Sequence, residues 1–330
     1  MPSVDTTLII PAYNEEQRIS AGFQRLAAAA ESGRIDLTKL HILYVDDGST
    51  DSTFSLAQEI ARSLPHATVL KLQSNVGKGA AVAAGVRAST TARLIFTDTD
   101  FAIDPAQIPQ LLAGLDDAPL AIGSRLDNGH IDYGSAVRTF AGRSFNRLIQ
   151  LVTSVEVGDT QCGFKALISA HAKILFHFIT IHGFAFDVEL LTRAQQLHWP
   201  ITPVPVTWDD VKGSHVRLAQ DSVAMLAELA AARTRRLPDL FGLALPGTTN
   251  LDDLRQACAG STLLNAPLLQ RDDGALLLLA TLHDAHAAQT SLRTVLTAIG
   301  PQQRQDAVRS VSLEDIAHYG VNAPKLLSEI

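Results

Sequence analysis

The stretch "RLIFTDTDFAID", residues 93 to 104, carries an apolar run that ends in two carboxylates one residue apart, Asp98 and Asp100. Two acids that close repel unless a cation sits between them or water screens them. The plain alternative is a wet loop after a strand. The chemically useful alternative is a divalent metal held for a phosphorylated ligand. A strand that continued through residue 100 would point both side chains to one side. Two oxygens there, with waters and a diphosphate, would complete a hard-cation site for Mg²⁺ or Mn²⁺. A metal bridging a diphosphate offsets the charge that develops on it as a leaving group.

Three further polar clusters follow apolar runs. In "PAYNEE" (11–16), Asn14 and Glu15 either face a ligand or cap the next helix. In "VDDGSTDST" (45–53), Gly48 permits a turn and Ser49 or Asp51 can cap a helix, which leaves one of Asp46 and Asp47 unused. That acid could accept from a base N–H or a ribose hydroxyl, like the acid that ends a strand in dinucleotide folds. "SNVGKGAA" (74–81) is similar to a phosphate loop but lacks the Walker pattern. Its glycines would permit close backbone approach, and Lys78 would supply a cation. An ordinary helix start with a solvated lysine fits as well.

Such tips need a scaffold. Short apolar runs at 6–12, 41–47, 67–73, 93–100 and 119–125 read as strands, with helical patterns near 15–31, 51–64, 78–89 and 104–115. That alternation predicts a mostly parallel α/β sheet with helices on both faces. Ligands then bind beyond the carboxyl ends of the strands, where the clusters lie. Further on come a helix near 136–153, a turn "EVGDTQCGFK", a helix near 185–198, a strand "ITPVPVTW" and a helix over 215–236. The prolines and glycines of 236–250 read as a linker. Residues 251–330 read as a separate small α+β appendage, with a hairpin at Asp273-Gly274 and a capping box at "SLED" (312–315).

Composition fits one large domain and a smaller piece. The chain has 330 residues, 46% hydrophobic and 18% charged, as a packed core requires. A net charge of −7 argues against general nucleic-acid binding. Two distant cysteines, Cys162 and Cys258, give neither a disulfide framework nor zinc spacing and suit a reducing cytosol. The N-terminus has no signal-peptide pattern. The apolar run at 275 to 282 is far short of the about 20 residues a membrane span needs. The histidines at 171, 177, 182 and 198 show no metal spacing, and Trp199 and Trp208 read as packing residues.

"LIIPAYNEE", "VDDGSTD", "NVGKG", "DTD" and "GSR", in this order, resemble the inverting family 2 glycosyltransferases of GT-A fold. "GDTQCGFK" and "FAFDVELL…ITPVPVTWDDVKGS" resemble the polyprenyl-phosphate sugar synthases, most closely the dolichyl-phosphate β-glucosyltransferase branch. The resemblance spans roughly 6–235. It implies a catalytic domain over 1–236 and does not reach the linker at 237–250 or the appendage at 251–330, whose role stays open. It implies a nucleotide-diphosphate sugar donor, UDP-glucose by the branch, and a polyprenyl-phosphate acceptor. Pro11, Tyr13 and Glu15 would line the nucleotide pocket, and Asp46 would read the uracil or ribose. Lys78 would approach the base or diphosphate. Asp98 and Asp100 would flank Mg²⁺ or Mn²⁺, with Asp98 also beside the donor. Arg125 would hold a phosphate, and Asp159, Gln161 and Lys165 would stand near the sugar and acceptor. Asp187 and Glu189 would orient that shell. His215 stands where the branch often has lysine.

A phosphate monoester is already an anionic nucleophile, so it needs cations and not a base. Arg125, Arg138 and Arg143 suit it, because the guanidinium fork matches phosphate oxygens. Asp159 is then an orienter in a direct inverting displacement. Helix 136–153 sets Phe140, Phe145 and Ile149 opposite Arg143 and Arg147, and 215–236 ends in "ARTRR". Both stretches suit peripheral contact with the inner face of a membrane, although the first also suits a core-facing helix. Two alternatives stand beside this expectation: the same donor chemistry on a soluble acceptor, and a nucleotide-sugar-binding regulatory protein.

Overall fold

The computed structural model describes residues 4–125, 149, 155–208, 225–232, 235, 237–271, 273–282, 284–299, 307–319 and 325–327. The chain divides into two compact units. The first comprises Met1–Ile168, Ile179–Gln195 and Trp199–Arg235; the second comprises Ser169–Phe178, Gln196–His198 and Arg236–Ile330.

The first unit is built on a seven-stranded sheet. Its strands are β1 (Thr6–Ala12), β2 (Leu40–Asp46), β3 (Ala67–Lys71), β4 (Arg93–Phe96), β5 (Leu120–Ser124), β6 (Lys165–Ile168) and β7 (Ile201–Pro205). They lie in the order β3-β2-β1-β4-β6-β5-β7. Pairing is parallel except at β6, which runs antiparallel to both β4 and β5. Alternation along the strands supplies both faces. Leu8, Ile10, Ile42, Tyr44 and Ile95 pack with Ile19 and Leu26 of α1 (Ile19–Glu31), Ala57 and Ile60 of α2 (Thr53–Arg62) and Leu111 of α4 (Ile108–Ala113). Ile9, on the opposite face, meets α3 (Lys78–Ala88) at Gly85, where a Cβ would come within 2.5 Å of its Cγ2. The helix α3 can lie that close only because residue 85 has no side chain. The edge strand β3 is half-exposed.

Three elements differ from the expectations. β4 stops at Phe96, short of the expected residue 100. The strand β6 and the following helix α5 (Ser169–Phe178) occupy residues expected to form only a turn and a connection. The helix α6 (Phe186–Gln196) agrees with its expected range to within two residues at each end. Residues 225–232 are helical, as is Ile149. Apart from Arg235, the remainder of 136–153 and of 215–236, with Arg138, Arg143, Arg147 and His215, lies outside the described residues.

The second unit holds a five-stranded antiparallel sheet, β11-β8-β10-β9-β12. Its strands are β8 (Leu240–Leu245), β9 (Pro267–Gln270), β10 (Leu276–Ala280), β11 (Val308–Val311) and β12 (Lys325–Leu326). The stretch expected to be a linker therefore supplies an inner strand. Gly242, which reads as loop punctuation, is instead a packing glycine: a Cβ there would lie 2.8 Å from Leu277 Cδ1. Leu243 and Leu245 pack with Leu254 of α7 (Leu251–Cys258) and Leu292 of α8 (Ala285–Ile299). β9 and β10 form the expected hairpin, with Gly274 at φ +87°. The expected capping box opens α9 (Leu313–Tyr319): Ser312 Oγ accepts from the Asp315 N–H at 3.1 Å, and Asp315 Oδ2 accepts from the Ser312 N–H at 2.9 Å. No helix among the described residues is long and apolar enough to cross a membrane.

Candidate active site

The tips of β1 and β2 are tied to each other. Asn14 adopts φ 52°, and its N–H donates to Ser49 Oγ while its Oδ1 accepts from the Thr50 N–H, each at 3.0 Å. The Glu15 N–H donates to Thr53 Oγ1 at 2.7 Å. Asn14 thus braces two loops. The Glu15 carboxylate takes the Arg18 guanidinium, with Nε donating at 2.6 Å, and Tyr13 stays exposed. Asp46 is buried at the end of β2, 3.3 Å from the Ser49 N–H and 3.8 Å from Lys71 Nζ.

Asp47, one of the two acids between which turn chemistry does not choose, has a structural task. Its two oxygens accept from the Val76 and Gly77 N–H groups at 2.9 and 2.7 Å. Burial pushes its carboxyl above the ordinary carboxylate value, and those two amides partly offset the burial. The loop it holds differs from the phosphate loop that it resembles in sequence. The N–H groups of Gly79 and Ala80, at the start of α3, donate to the His182 carbonyl at 2.7 and 3.3 Å. Gly77, at φ +119°, lets that carbonyl approach, and Gly79 makes room for Phe186. These glycines admit the chain's own backbone. Lys78 is the group that the loop presents.

Asp98 and Asp100 sit in a turn, not on a strand. The Phe101 N–H donates to the Asp98 carbonyl at 3.1 Å, Phe101 takes φ 46°, and Asp100 Oδ1 accepts from the Ala102 N–H at 3.1 Å. Thr99 Oγ1 ties the turn to the Pro11 carbonyl at 2.7 Å. α1 packs on the Thr99 carbonyl at Gly22, where a Cβ would clash with it. So the turn, and not strand alternation, sets the two acids. Lys78 Nζ lies 2.5 Å from Asp98 Oδ1, and Arg18 lies 3.5 Å from Asp100 Oδ2. Burial and the neighbouring Asp98 raise the Asp100 carboxyl above its usual range. Burial draws the Lys78 ammonium down, but Asp98, Asp187 and Asp100 outweigh it and carry it up. A carboxyl pushed up by its twin is a carboxyl that a cation would stabilise as its anion. The donor set is hard oxygen, so the pair fits Mg²⁺ or Mn²⁺, with the remaining ligands left to diphosphate and water.

Opposite lie the residues of "GDTQCGFK". Asp159 accepts from Arg125 Nε at 2.7 Å, Nη2 at 2.8 Å and the backbone N–H at 3.1 Å. Burial would raise its carboxyl, but the Arg125 hydrogen bonds and charge hold it below the usual value. Gln161 Nε2 faces Met225 Sδ at 3.5 Å. Lys165 was expected near the sugar and acceptor, but it is fully buried. Its ammonium donates to Asp187 Oδ1 and to the Cys162 carbonyl, both at 2.6 Å, which places it behind the site. Glu189, also buried, accepts from the Thr180 and Ile181 N–H groups at 2.8 Å and from Arg193. It braces the chain that leads into α6.

Gly163 joins the two halves, because a Cβ on it would come within 2.4 Å of Asp98 Oδ2. Its φ is not in the left-handed region, so a methyl group acts by sterics alone. Gly163→Ala is expected to displace the Asp98 carboxylate by a substantial fraction of an ångström. That should lower kcat/KM about tenfold to 10²-fold at nearly unchanged Tm, as small misplacements do. Steady-state kinetics and a melting curve check this. Wild-type kcat/KM would mean that Asp98 yields at no cost. Gly163 and Arg18 went unread in sequence, although Arg18 stands three residues after Glu15, the spacing of a helical ion pair.

This sheet order, with polar loops gathered at the strand ends, is that of the GT-A fold. The fold is shared with glucosyl-3-phosphoglycerate synthase from Mycobacterium tuberculosis, whose crystal structure in complex with Mn²⁺, uridine diphosphate and glucosyl-3-phosphoglycerate aligns with a TM-score of 0.51. At 17% identity over 69% of this chain and 79% of that one, the likeness is one of fold. The chain belongs to glycosyl transferase family 2, whose model matches residues 7–174. It is 36% identical to the dolichyl-phosphate beta-glucosyltransferase of Drosophila melanogaster over 64% of this chain and 69% of that protein. It is 34% identical to the Mus musculus enzyme of the same name over 73% and 79%.

Proposed function

We propose that the chain moves glucose from UDP-glucose to a polyprenyl phosphate, with inversion at the anomeric carbon. The relatives' shared name supports the sugar and the acceptor class. The observation that carries the mechanism is the Asp159–Arg125 pair: both carboxylate oxygens accept from one guanidinium fork, and the carboxyl is held low. Such a group is a poor base for a hydroxyl. A phosphate acceptor, anionic at neutral pH, needs none. Asp159 holds the Arg125 fork in place, and Arg125 and the neighbouring chain position the acceptor's charge. Tyr13, Pro11 and Asp46, at the tips of β1 and β2, would receive the nucleoside, with Gln161 on the acceptor side. Asp98 and Asp100 would hold Mg²⁺ or Mn²⁺, which supplies charge neutralisation for the departing diphosphate. Lys78 would serve the same diphosphate. The basic stretches 136–153 and 215–236 suit an anionic membrane surface, where a lipid-linked acceptor resides.

The test is a panel of labelled UDP- and GDP-sugars with undecaprenyl phosphate and Mg²⁺ or Mn²⁺. Label is expected to enter the organic phase with UDP-glucose. Label that stays aqueous with lipid acceptor, but enters a small phosphorylated acceptor, would overturn the lipid assignment. In the same assay Asp159→Asn should retain turnover within about tenfold, whereas loss of a general base costs about 10²–10⁴-fold. A loss in that larger range would mark Asp159 as a base and the acceptor as a hydroxyl.

A further inference from the structure

Around the acidic pair, each acid already has a cation of the chain's own. Asp98 Oδ1 meets Lys78 Nζ at 2.5 Å, Asp187 Oδ1 meets Lys165 Nζ at 2.6 Å, and Asp100 Oδ2 lies 3.5 Å from Arg18. The three cations are not equivalent. Lys165 is buried and also holds the Cys162 carbonyl, and Arg18 also clasps Glu15, so both are fixed from two sides. Lys78 is the first residue of α3, and Asp98 is its one side-chain hydrogen-bond partner among the described residues. Its side chain is 16% exposed, against 48% for Asp98, so the ammonium lies on the inner side of the carboxylate. A divalent ion that approaches Asp98 meets this ammonium on the same carboxylate. Like charges at that separation oppose each other strongly where water is scarce. A diphosphate changes the balance, because it offers the ammonium acceptors of its own.

We propose that Lys78 couples the binding of the divalent cation to that of the donor's diphosphate: it competes with the cation for Asp98, and the diphosphate draws the ammonium away. The inference rests on the metal assignment made above. It gives the lysine a role in binding order. Cation and nucleotide each bind weakly alone and tightly together, so the site does not fill with free metal. By linkage, each must strengthen the other by the same factor.

The test is Mn²⁺ binding to the full chain, read from the free-ion EPR signal, without nucleotide and with UDP, GDP or uridine. For the wild type, UDP or GDP is expected to tighten Mn²⁺ at least about fivefold, and uridine, which has no diphosphate, is not. Lys78→Gln, which removes the competing charge, is expected to bind Mn²⁺ without nucleotide at least about fivefold tighter than the wild type, with a smaller gain from UDP. Lys78→Arg keeps a cation and should behave as the wild type, which separates loss of charge from damage to the loop. Nucleotide-free affinity of folded Lys78→Gln equal to or weaker than wild type would overturn the proposal. So would equal tightening by uridine and UDP, a measurement that needs no variant. Absence of Mn²⁺ binding under every condition would overturn the metal assignment itself, and this inference with it.

Discussion

Asp98→Asn and Asp100→Asn are each expected to lower kcat/KM for sugar transfer by about 10²–10³-fold, the scale of losing one electrostatic contact to a departing anion. The two losses should have different accompaniments. Asp98 is half-exposed, but it is the hydrogen-bond partner of the mostly buried Lys78 ammonium, so Asp98→Asn should also melt a few degrees early. Asp100 is less exposed, and its carboxylate holds the Ala102 N–H and faces Arg18. The amide of Asn keeps one acceptor for Ala102, Arg18 keeps Glu15, and the charge that burial and Asp98 disfavour is gone. Asp100→Asn should therefore lose activity while melting no earlier than the wild type. Raising Mn²⁺ should recover part of the rate in both variants if the acids hold a metal. Full activity in either variant at ordinary Mn²⁺ would remove that acid from the proposed ligand set. Loss of activity with unchanged Mn²⁺ binding would assign the acids to the sugar or the base.

The sheet was legible because each strand is an apolar run bounded by polar residues, and β1 forms over the expected residues 6–12. The GT-A fold followed from the order of the strand-end motifs. What escaped reading was local closure by distant partners. Asp46 and Asp47 look alike in the sequence because the partners of Asp47, Val76 and Gly77, lie about thirty residues away. The glycines of "SNVGKG" looked ready for phosphate because a sequence does not show that the His182 carbonyl fills the space. β4 appeared to run on to Asp100 because Thr97 and Thr99 are strand-compatible, whereas the turn is fixed by contacts from Pro11 and Gly22. The strand β6 was missed because it is four residues long, starts on a lysine and runs against its neighbours, none of which periodicity reports. The residues of 237–250 misled through composition: Pro and Gly mark turns on average, but Gly242 lies inside a strand where neighbouring side chains need its volume.

Lys165 is where sequence and structure assign different work, and its substitution has the largest expected effect on stability. The β6 strand places it fully buried between β4 and β5, with Asp187 at 2.6 Å and the Phe96 ring beneath its ammonium at 5.6 Å. Removing one member of such a pair strands the other charge in a dry interior, which costs about 3–5 kcal/mol. Lys165→Met and Asp187→Leu are each expected to destabilise by that amount, read as a shift of the urea midpoint at constant slope. The double variant Lys165→Met/Asp187→Leu leaves no charge behind and should recover most of the loss, because a buried pair replaced by apolar groups of similar size is often close to neutral. The Cys162 carbonyl would still lack its donor, so recovery should stop short of the wild type by about 1–3 kcal/mol. Activity separates the roles further. Lys165 lies behind Cys162 and Gly163, and Gly163 abuts Asp98, so the double variant should fold and yet turn over slowly, with kcat reduced more than KM is raised. A single variant as stable as the wild type would show that water reaches the pair. A folded double variant with full kcat would show that the Cys162–Gly163 turn holds Asp98 without it.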